Sequence, residues 1–253
     1  MSEFNYAMAS SADDASAQVK GTGDGSLIAG GMTLIPSIKL GLATHTDLID
    51  LAGAGLSGIS VEGTTVTIGA MTRHVDVASS KEVVDAIPAL SGLASGIGDP
   101  QVRNRGTIGG SVANNDPAAD YPSACLALNA TIHTNKRKIP ADKFFKGMFE
   151  TDLKKGELIE SVEFEVPEKS SYAKFPNPAS RYAIVGVYVA KLKKEVRVAV
   201  TGVANCAFRC KKLEDVLSDN FSASAVDDVN ISSKGFNADM HASTEYKAHI
   251  IKV

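Results

Sequence analysis

Two short strings combine a glycine pair with small hydroxyl residues: Ala29-Gly-Gly-Met-Thr33 and Thr107-Ile-Gly-Gly-Ser111. Each follows a stretch that reads as β-like. Paired glycines admit positive φ and close main-chain approach, so successive N–H groups can converge on an anion. If the first pair opens a helix, the positive end of that helix adds to the attraction. Two such clusters could hold both phosphates of a dinucleotide without any lysine. Taken singly, each reads first as a tight structural turn, and only the pair together suggests a phosphate site.

Other candidate chemistry is thinner. Gly53-Ala-Gly-Leu-Ser-Gly58 matches G-x-G-x-x-G, but that fingerprint needs a helix to follow. The next residues, Ile59 to Val66, alternate as a strand, so no Rossmann site is expected; no phosphate-loop motif ending in Gly-Lys-Ser/Thr exists either. Cys125, Cys206 and Cys210 have no iron–sulfur spacing and read as structural thiols. The five histidines (45, 74, 133, 241, 249) are scattered, so no metal site is expected, and no Ser/His/Asp set can be argued from spacing.

The elements that must carry the glycine pairs alternate between strand and helix. Residues 12–20 read as a helix, 26–29 as a strand, 33–42 as a helix that Thr33 would cap, and 47–51 as a strand. That succession argues for α/β architecture. A hairpin turns at Glu62-Gly63, and a helix over 82–95 breaks near Pro88. A loop over 96–106 leads to the second glycine pair. Then come a helix at 123–128 and strands at 130–134 and 157–166. The composition changes at Pro167-Glu-Lys-Ser-Ser171, where a domain boundary is placed. Paired strands at 182–192 and 195–205 and helices at 210–217 and 239–252 complete a small α+β unit.

The chain has 253 residues, 26 basic and 29 acidic, for a net charge of −3. With neither sign running in a long block, an electrostatic nucleic-acid binder is excluded. Apolar residues at 44 % and charged residues at 22 % exclude wholesale disorder. No apolar run approaches the roughly 20 residues of a membrane span. The first residues lack a signal-peptide pattern, and with few cysteines a reducing, cytoplasmic setting is expected, so three glycosylation sequons are read as chance.

Larger strings carry a resemblance. Ala29 to Leu40 is followed by Asp47-Leu-Ile-Asp50, and then by Asp99-Pro-Gln-Val-Arg-Asn-Arg-Gly-Thr-Ile-Gly-Gly-Ser-Val-Ala-Asn-Asn-Asp-Pro-Ala-Ala-Asp120. With Phe144-Phe-Lys-Gly-Met-Phe-Glu-Thr151, Gly156-Glu-Leu-Ile159 and Ala179-Ser-Arg-Tyr-Ala-Ile-Val185, these resemble the FAD-binding medium subunit of molybdenum hydroxylases. That is the carbon monoxide dehydrogenase and xanthine dehydrogenase group.

The resemblance implies a mixed α/β and α+β fold: a two-lobed FAD-binding domain of the vanillyl-alcohol-oxidase (PCMH) type plus a small C-terminal α+β domain. The divisions fall at residues 1–53, 54–166 and 167–253. It implies that Ala29, Gly30, Gly31, Met32 and Thr33, with Thr107, Ile108, Gly109, Gly110 and Ser111, bind the FAD pyrophosphate. Leu27, Ile28 and Leu34 would line the cleft; Ile97 and Gly98 lie beside the flavin; Asn114 and Asp120 make polar contacts. Ile159 would pack near the ring, with Lys174 close by. For Asp120 the alternative is a helix N-cap before Pro122, and for Ile159 plain core packing. No catalytic side chain is implied, because the flavin carries the redox chemistry.

The implied partners are a molybdopterin-binding large subunit and a [2Fe-2S] small subunit, as a dimer of heterotrimers. Carbon monoxide is the favoured substrate of the whole; an aldehyde or N-heterocycle hydroxylase is the runner-up. A flavin-free structural subunit is the reading from another class. Met32 stands where relatives often carry a polar side chain, and the chain stops at Val253, somewhat early for the family.

Overall fold

The computed structural model describes residues 3–253. The first sheet is small and wholly parallel: strands β1 (Asn5–Met8), β2 (Gly25–Ile28) and β3 (Asp47–Asp50) run in the order β1-β3-β2. Between β1 and β2 lies helix α1 (Ala12–Gly21), where Ser11 accepts from the Asp14 N–H and Asp13 and Asp14 face the positive helix end. Its buried Ala12, Ala15 and Val19 fall at helical spacing and pack on Ile49, Leu51 and Leu158. Strand β1, four residues long and exposed, is missing from the sequence expectation.

Helix α2 (Leu34–Lys39) is shorter than the expected 33–42. Thr33 already has helical φ and ψ, so its hydroxyl makes no cap. At the other end Gly41 is left-handed (φ 72°), with Gly41 N–H donating to Ile38 O and Leu42 N–H to Ser37 O. That paired bonding is a Schellman stop, which only a residue tolerant of positive φ supports well.

A five-stranded sheet follows, ordered β4-β5-β10-β6-β7, from β4 (Ile59–Glu62), β5 (Thr65–Gly69), β6 (Thr131–Thr134), β7 (Lys138–Pro140) and β10 (Ile159–Glu165). Because β4 directly follows Gly58, the 53–58 glycines open no helix. Val162 and Phe164 on the central β10 are fully buried against helices α3 (His74–Ser79), α4 (Lys81–Ala86), α5 (Pro88–Ser95), α7 (Ile108–Asn114) and α8 (Tyr121–Ala127). The expected 96–106 loop contains helix α6 (Pro100–Arg105), with Asp99 accepting from Val102 N–H and Pro100 in the first turn. Helix α9 (Ala141–Phe144) and the hairpin β8 (Phe145–Gly147) and β9 (Glu150–Thr151) lead back to β10.

The third sheet is antiparallel: β11 (Lys169–Pro176), β12 (Ala183–Lys191), β13 (Val196–Thr201) and β14 (Phe208–Arg209). The expected compositional break is therefore an edge strand, too polar to be read as one. Alternation sorts its two faces. Val187, Val189, Val198 and Val200 face helices α10 (Lys211–Asp219) and α11 (Thr244–Lys252), while Tyr188, Ala190 and Ala199 join the large core beside α8. Helix α11 starts later than the expected 239, because Asp239 accepts from His241 and Ala242 N–H in a turn and Ser243 then caps the helix.

One seam ties this sheet to the segment before α8. Thr201 Oγ1 contacts Pro117 O at 3.0 Å and Ala119 O at 2.7 Å. Gly202 N–H also reaches Pro117 O, so only Ala119 O loses its donor when the hydroxyl is removed. Thr201→Val should lower unfolding free energy by about 1–2 kcal/mol, read as a shift in urea midpoint at unchanged slope. An unaltered midpoint would mean the seam contributes nothing.

Candidate functional site

The glycine pairs come together. Their segments line one cleft of about 570 Å3, a volume suited to a small molecule or cofactor. A Cβ on Gly30 would lie 2.1 Å from Arg105 O, so only glycine lets the first loop rest on the end of α6. A Cβ on Gly110 would sit 3.5 Å from that of Ala29, which measures how closely the second loop adjoins the first.

Their amides differ. Among the described residues, the five consecutive N–H groups of Gly30, Gly31, Met32, Thr33 and Leu34 donate to no protein acceptor. In the second loop the four consecutive amides after Thr107 are used: Ile108 N–H goes to Thr72 O, Gly109 to Ala70 O, Gly110 to Thr107 Oγ1 and Ser111 to Thr107 O. The expectation of two open amide clusters is corrected to one. Thr107 ends an extended pairing with Arg73 and caps α7, so Gly109 and Gly110 lie in a helix's first turn. A Cβ at Gly109 would meet Ala70 Cβ at 2.5 Å, which makes this glycine a packing requirement. What the second loop leaves free is side chain: neither Ser111 Oγ nor the Asn114 amide bonds within the described residues, and both line the cleft.

The far wall brings in the third sheet. Ser180, Arg181 and Tyr182, just before β12, line the cleft, and Arg181 donates to Gly98 O at 3.2 Å. Arg103 donates to Ile97 O and Gly98 O at 3.0 and 2.9 Å, fixing a left-handed Gly98 (φ 50°). Asp120 is buried in this wall. It makes no side-chain cap for α8; it accepts from Tyr172 Oη and, at 2.9 Å, from Lys174 Nζ, which also reaches Gly96 O. Burial pushes the Asp120 carboxyl up from its ordinary value, against the opposite pull of Lys174 and Tyr172. Below, Glu157 accepts from Arg137, Thr134 Oγ1 and the Lys154 N–H. Burial would raise its pKa, but those donors outweigh it and hold the carboxyl below the ordinary range.

Of the residues expected at the site, Leu27 to Leu34, Ile97, Gly98, Thr107, Gly109 to Ser111, Asn114, Asp120 and Ile159 all line the cleft. Two do not. Ile108 is fully buried, pointing into the core beneath the loop. Lys174 stands behind the wall on β11, a strand that also borders a separate, mostly apolar cavity of about 650 Å3. Missed by sequence reasoning were Met71, Leu153, Leu158, Arg181, Tyr182 and His74; Leu158, Arg181 and Tyr182 lie in strings that carry the resemblance, which implies no place for them at the site, and the other three belong to no motif. Cys125 and Cys210 are buried, and burial raises both thiols. Among the described residues no His, Cys, Asp and Glu cluster could hold a metal, and no helix is long and apolar enough to cross a membrane.

Comparison with known proteins meets this geometry. The profile of the family described as FAD binding domain in molybdopterin dehydrogenase matches residues 2–168, which include both loops. The chain belongs to that family. It is an FAD-binding oxidoreductase subunit of the molybdenum hydroxylase type. It is 35 % identical to the glyceraldehyde dehydrogenase medium chain of Sulfolobus acidocaldarius over 272 aligned positions, covering 99 % of this chain and 95 % of that one. Identity to the carbon monoxide dehydrogenase medium chain of Hydrogenophaga pseudoflava is 39 % over 201 positions, covering 74 % and 69 %. The fold matches a reconstituted CO dehydrogenase from Oligotropha carboxidovorans with a TM-score of 0.91 at 30 % identity, covering 99 % of this chain and 94 % of that one. The FAD-binding domain is followed, as there, by an antiparallel-sheet domain.

His74 gives the cleft a measurable pH dependence. Its ring packs at 5.4 Å from that of Tyr121, and its Nδ1 is buried with no partner. Burial, helped by the positive Arg103, lowers its pKa to about 4. Between that value and the ordinary 6.5 the unfolded chain binds the extra proton, so stability is present above pH 6.5 and lost as pH falls through 4. The loss attributable to His74 should approach roughly 3 kcal/mol. Urea unfolding at pH 7 and 4.5 should show a smaller acid loss for His74→Leu than for wild type. Equal losses would contradict a neutral, buried imidazole.

Proposed function

We propose that the cleft holds FAD in an extended pose, with its diphosphate on the open N–H groups of residues 30–34. The observation carrying this reading is that run of five donors without acceptors, which matches a dianionic bridge and needs no cationic side chain. Ser111 and Asn114 would supply side-chain donors from the second loop, and Ile97, Gly98 and Ile159 an apolar lining toward the flavin end. Asp120, neutralised by Lys174, would offer a polar contact without placing a free charge beside the cofactor. Bound FAD supplies the redox chemistry; the chain's residues bind it, orient it and exclude water. An anion cradle of this kind also argues against a purely structural, flavin-free subunit.

The proposed setting is a complex with a molybdopterin-binding large subunit and a [2Fe-2S] small subunit, as a dimer of heterotrimers, from whose clusters electrons reach this subunit and leave to an external acceptor. The divisions near residues 53 and 167 are proposed as its domain limits. A carbon monoxide dehydrogenase-like role is supported by the 39 % identity to one such medium chain. An aldehyde-oxidising complex is the second reading, favoured by the near full-length match to a glyceraldehyde dehydrogenase medium chain. Assays of the assembled complex with carbon monoxide and with glyceraldehyde separate the two.

Gly110→Asp tests the site. Its Cβ would stand 3.0 Å from Thr107 Oγ1, the hydroxyl that caps α7, which must give by a few tenths of an ångström, whereas any side chain at Gly30 would strike the Arg105 main chain. The new carboxylate should cut FAD affinity at least about tenfold, ~1.4 kcal/mol or more, with apo-protein stability lowered by no more than the about 1 kcal/mol of the Thr107 cap. Titration with FAD, followed by flavin fluorescence, reads this directly. Wild-type affinity in the variant would remove the assignment.

A further inference from the structure

The hairpin β8–β9 carries Met148 and Phe149 at its tip, 51 % and 57 % exposed. Phe149 is left-handed, with φ 55°, a conformation a bulky side chain rarely adopts. Asn115 keeps it there. The Phe149 N–H donates to Asn115 O at 3.2 Å, and Asn115 Nδ2 donates to Gly147 O and Glu150 O, both at 2.8 Å. Asn115 is itself fully buried and left-handed, closing α7 one residue after Asn114 of the cleft. A strained turn, clamped from the core, thus presents two apolar side chains to solvent.

The surroundings are strongly positive. Residues 136–155 carry seven basic side chains against three acidic ones, on a chain whose net charge is −3. Arg137, Lys146 and Lys154 converge on Asp152 at 2.9, 3.6 and 3.5 Å, so one carboxylate answers three cations, and Arg137 also binds Glu157. Lys143 and Lys155 stand in the same segment with no ion-pair partner among the described residues.

We infer that the Met148–Phe149 tip and its lysine rim form a docking surface for another subunit of the chain's own complex, one presenting an apolar socket ringed by acidic side chains. The inference rests on the reading of the chain as one subunit of such a complex. A few apolar anchors at a centre, with charge complementarity at the rim, is how protein interfaces are built. The pre-shaped turn favours a protein socket over an anionic bilayer, which would require no fixed backbone geometry.

The test uses the full, FAD-loaded chain titrated with the remaining subunits of its complex, followed by light scattering at low and high salt. Phe149→Asn with Met148→Ser keeps a residue tolerant of left-handed backbone while removing the apolar anchors. Lys146→Glu with Lys154→Glu reverses the rim. The first pair should weaken assembly at least about tenfold, with FAD content and thermal stability unchanged. The second should weaken it at low salt and flatten its salt dependence. Wild-type affinity in both variants would overturn the inference while leaving the subunit reading intact. Binding of the wild-type chain to phosphatidylserine vesicles that Phe149→Asn abolishes, with assembly untouched, would overturn it in favour of lipid. Failure of the wild-type chain itself to assemble would remove the subunit reading and the inference together.

Discussion

Everything at the cleft depends on the close approach of Gly30 to the main chain at the end of α6. With no Cβ to hold them apart, the 29–34 turn rests on Arg105 and Gly106, and the left-handed Gly31 carries the chain on into α2. The turn is thereby fixed in a conformation that spends none of its five N–H groups on protein acceptors. Open donors at the lining of a cleft are costly unless water or a ligand meets them. A diphosphate meets several at once, which is why the turn can bind an anion without a lysine.

The second loop does a different job. Its amides from Ile108 to Ser111 are engaged, by Thr72, Ala70 and Thr107, and its glycines serve close packing against Ala70 and Ala29. It works as the rigid opposing wall, contributing hydroxyl and amide side chains in place of main-chain donors. Two similar glycine strings thus divide the task, one an irregular turn with open donors, the other helical and closed. The third sheet completes the enclosure through Arg181 and Tyr182 and locks the wall from behind through Lys174 and Asp120.

Much of this was legible in the residue string. The helix over 12–20, the break at Pro88, the hairpin at Glu62-Gly63 and the paired strands of the third sheet follow from periodicity and turn chemistry, and they stand within a few residues of expectation. Long-range strings located the cleft, because glycine loops are constrained by what they must approach. What escaped was set by tertiary context. Strand β11 is an edge strand whose polar alternation resembles a linker, and β1 is four residues long and exposed. Helix α6 did carry a signal, Asp99-Pro100, that a glycine-rich neighbourhood obscured. Ile108 was placed in the cleft by its position between loop residues, yet the helical turn rotates it into the core. His74 arrives by folding alone, whereas Arg181 and Tyr182 lie in a string that carries the resemblance, 179–185, whose place at the cleft only the fold reveals.

Amide hydrogen exchange, with and without FAD, addresses the open turn most directly. The N–H groups of residues 30–34 should exchange fast in the apo protein and slow by at least about tenfold when FAD is bound, while those of 109–111 stay slow in both states. Unchanged exchange at 30–34 on saturation with FAD would contradict the account, whatever the affinity.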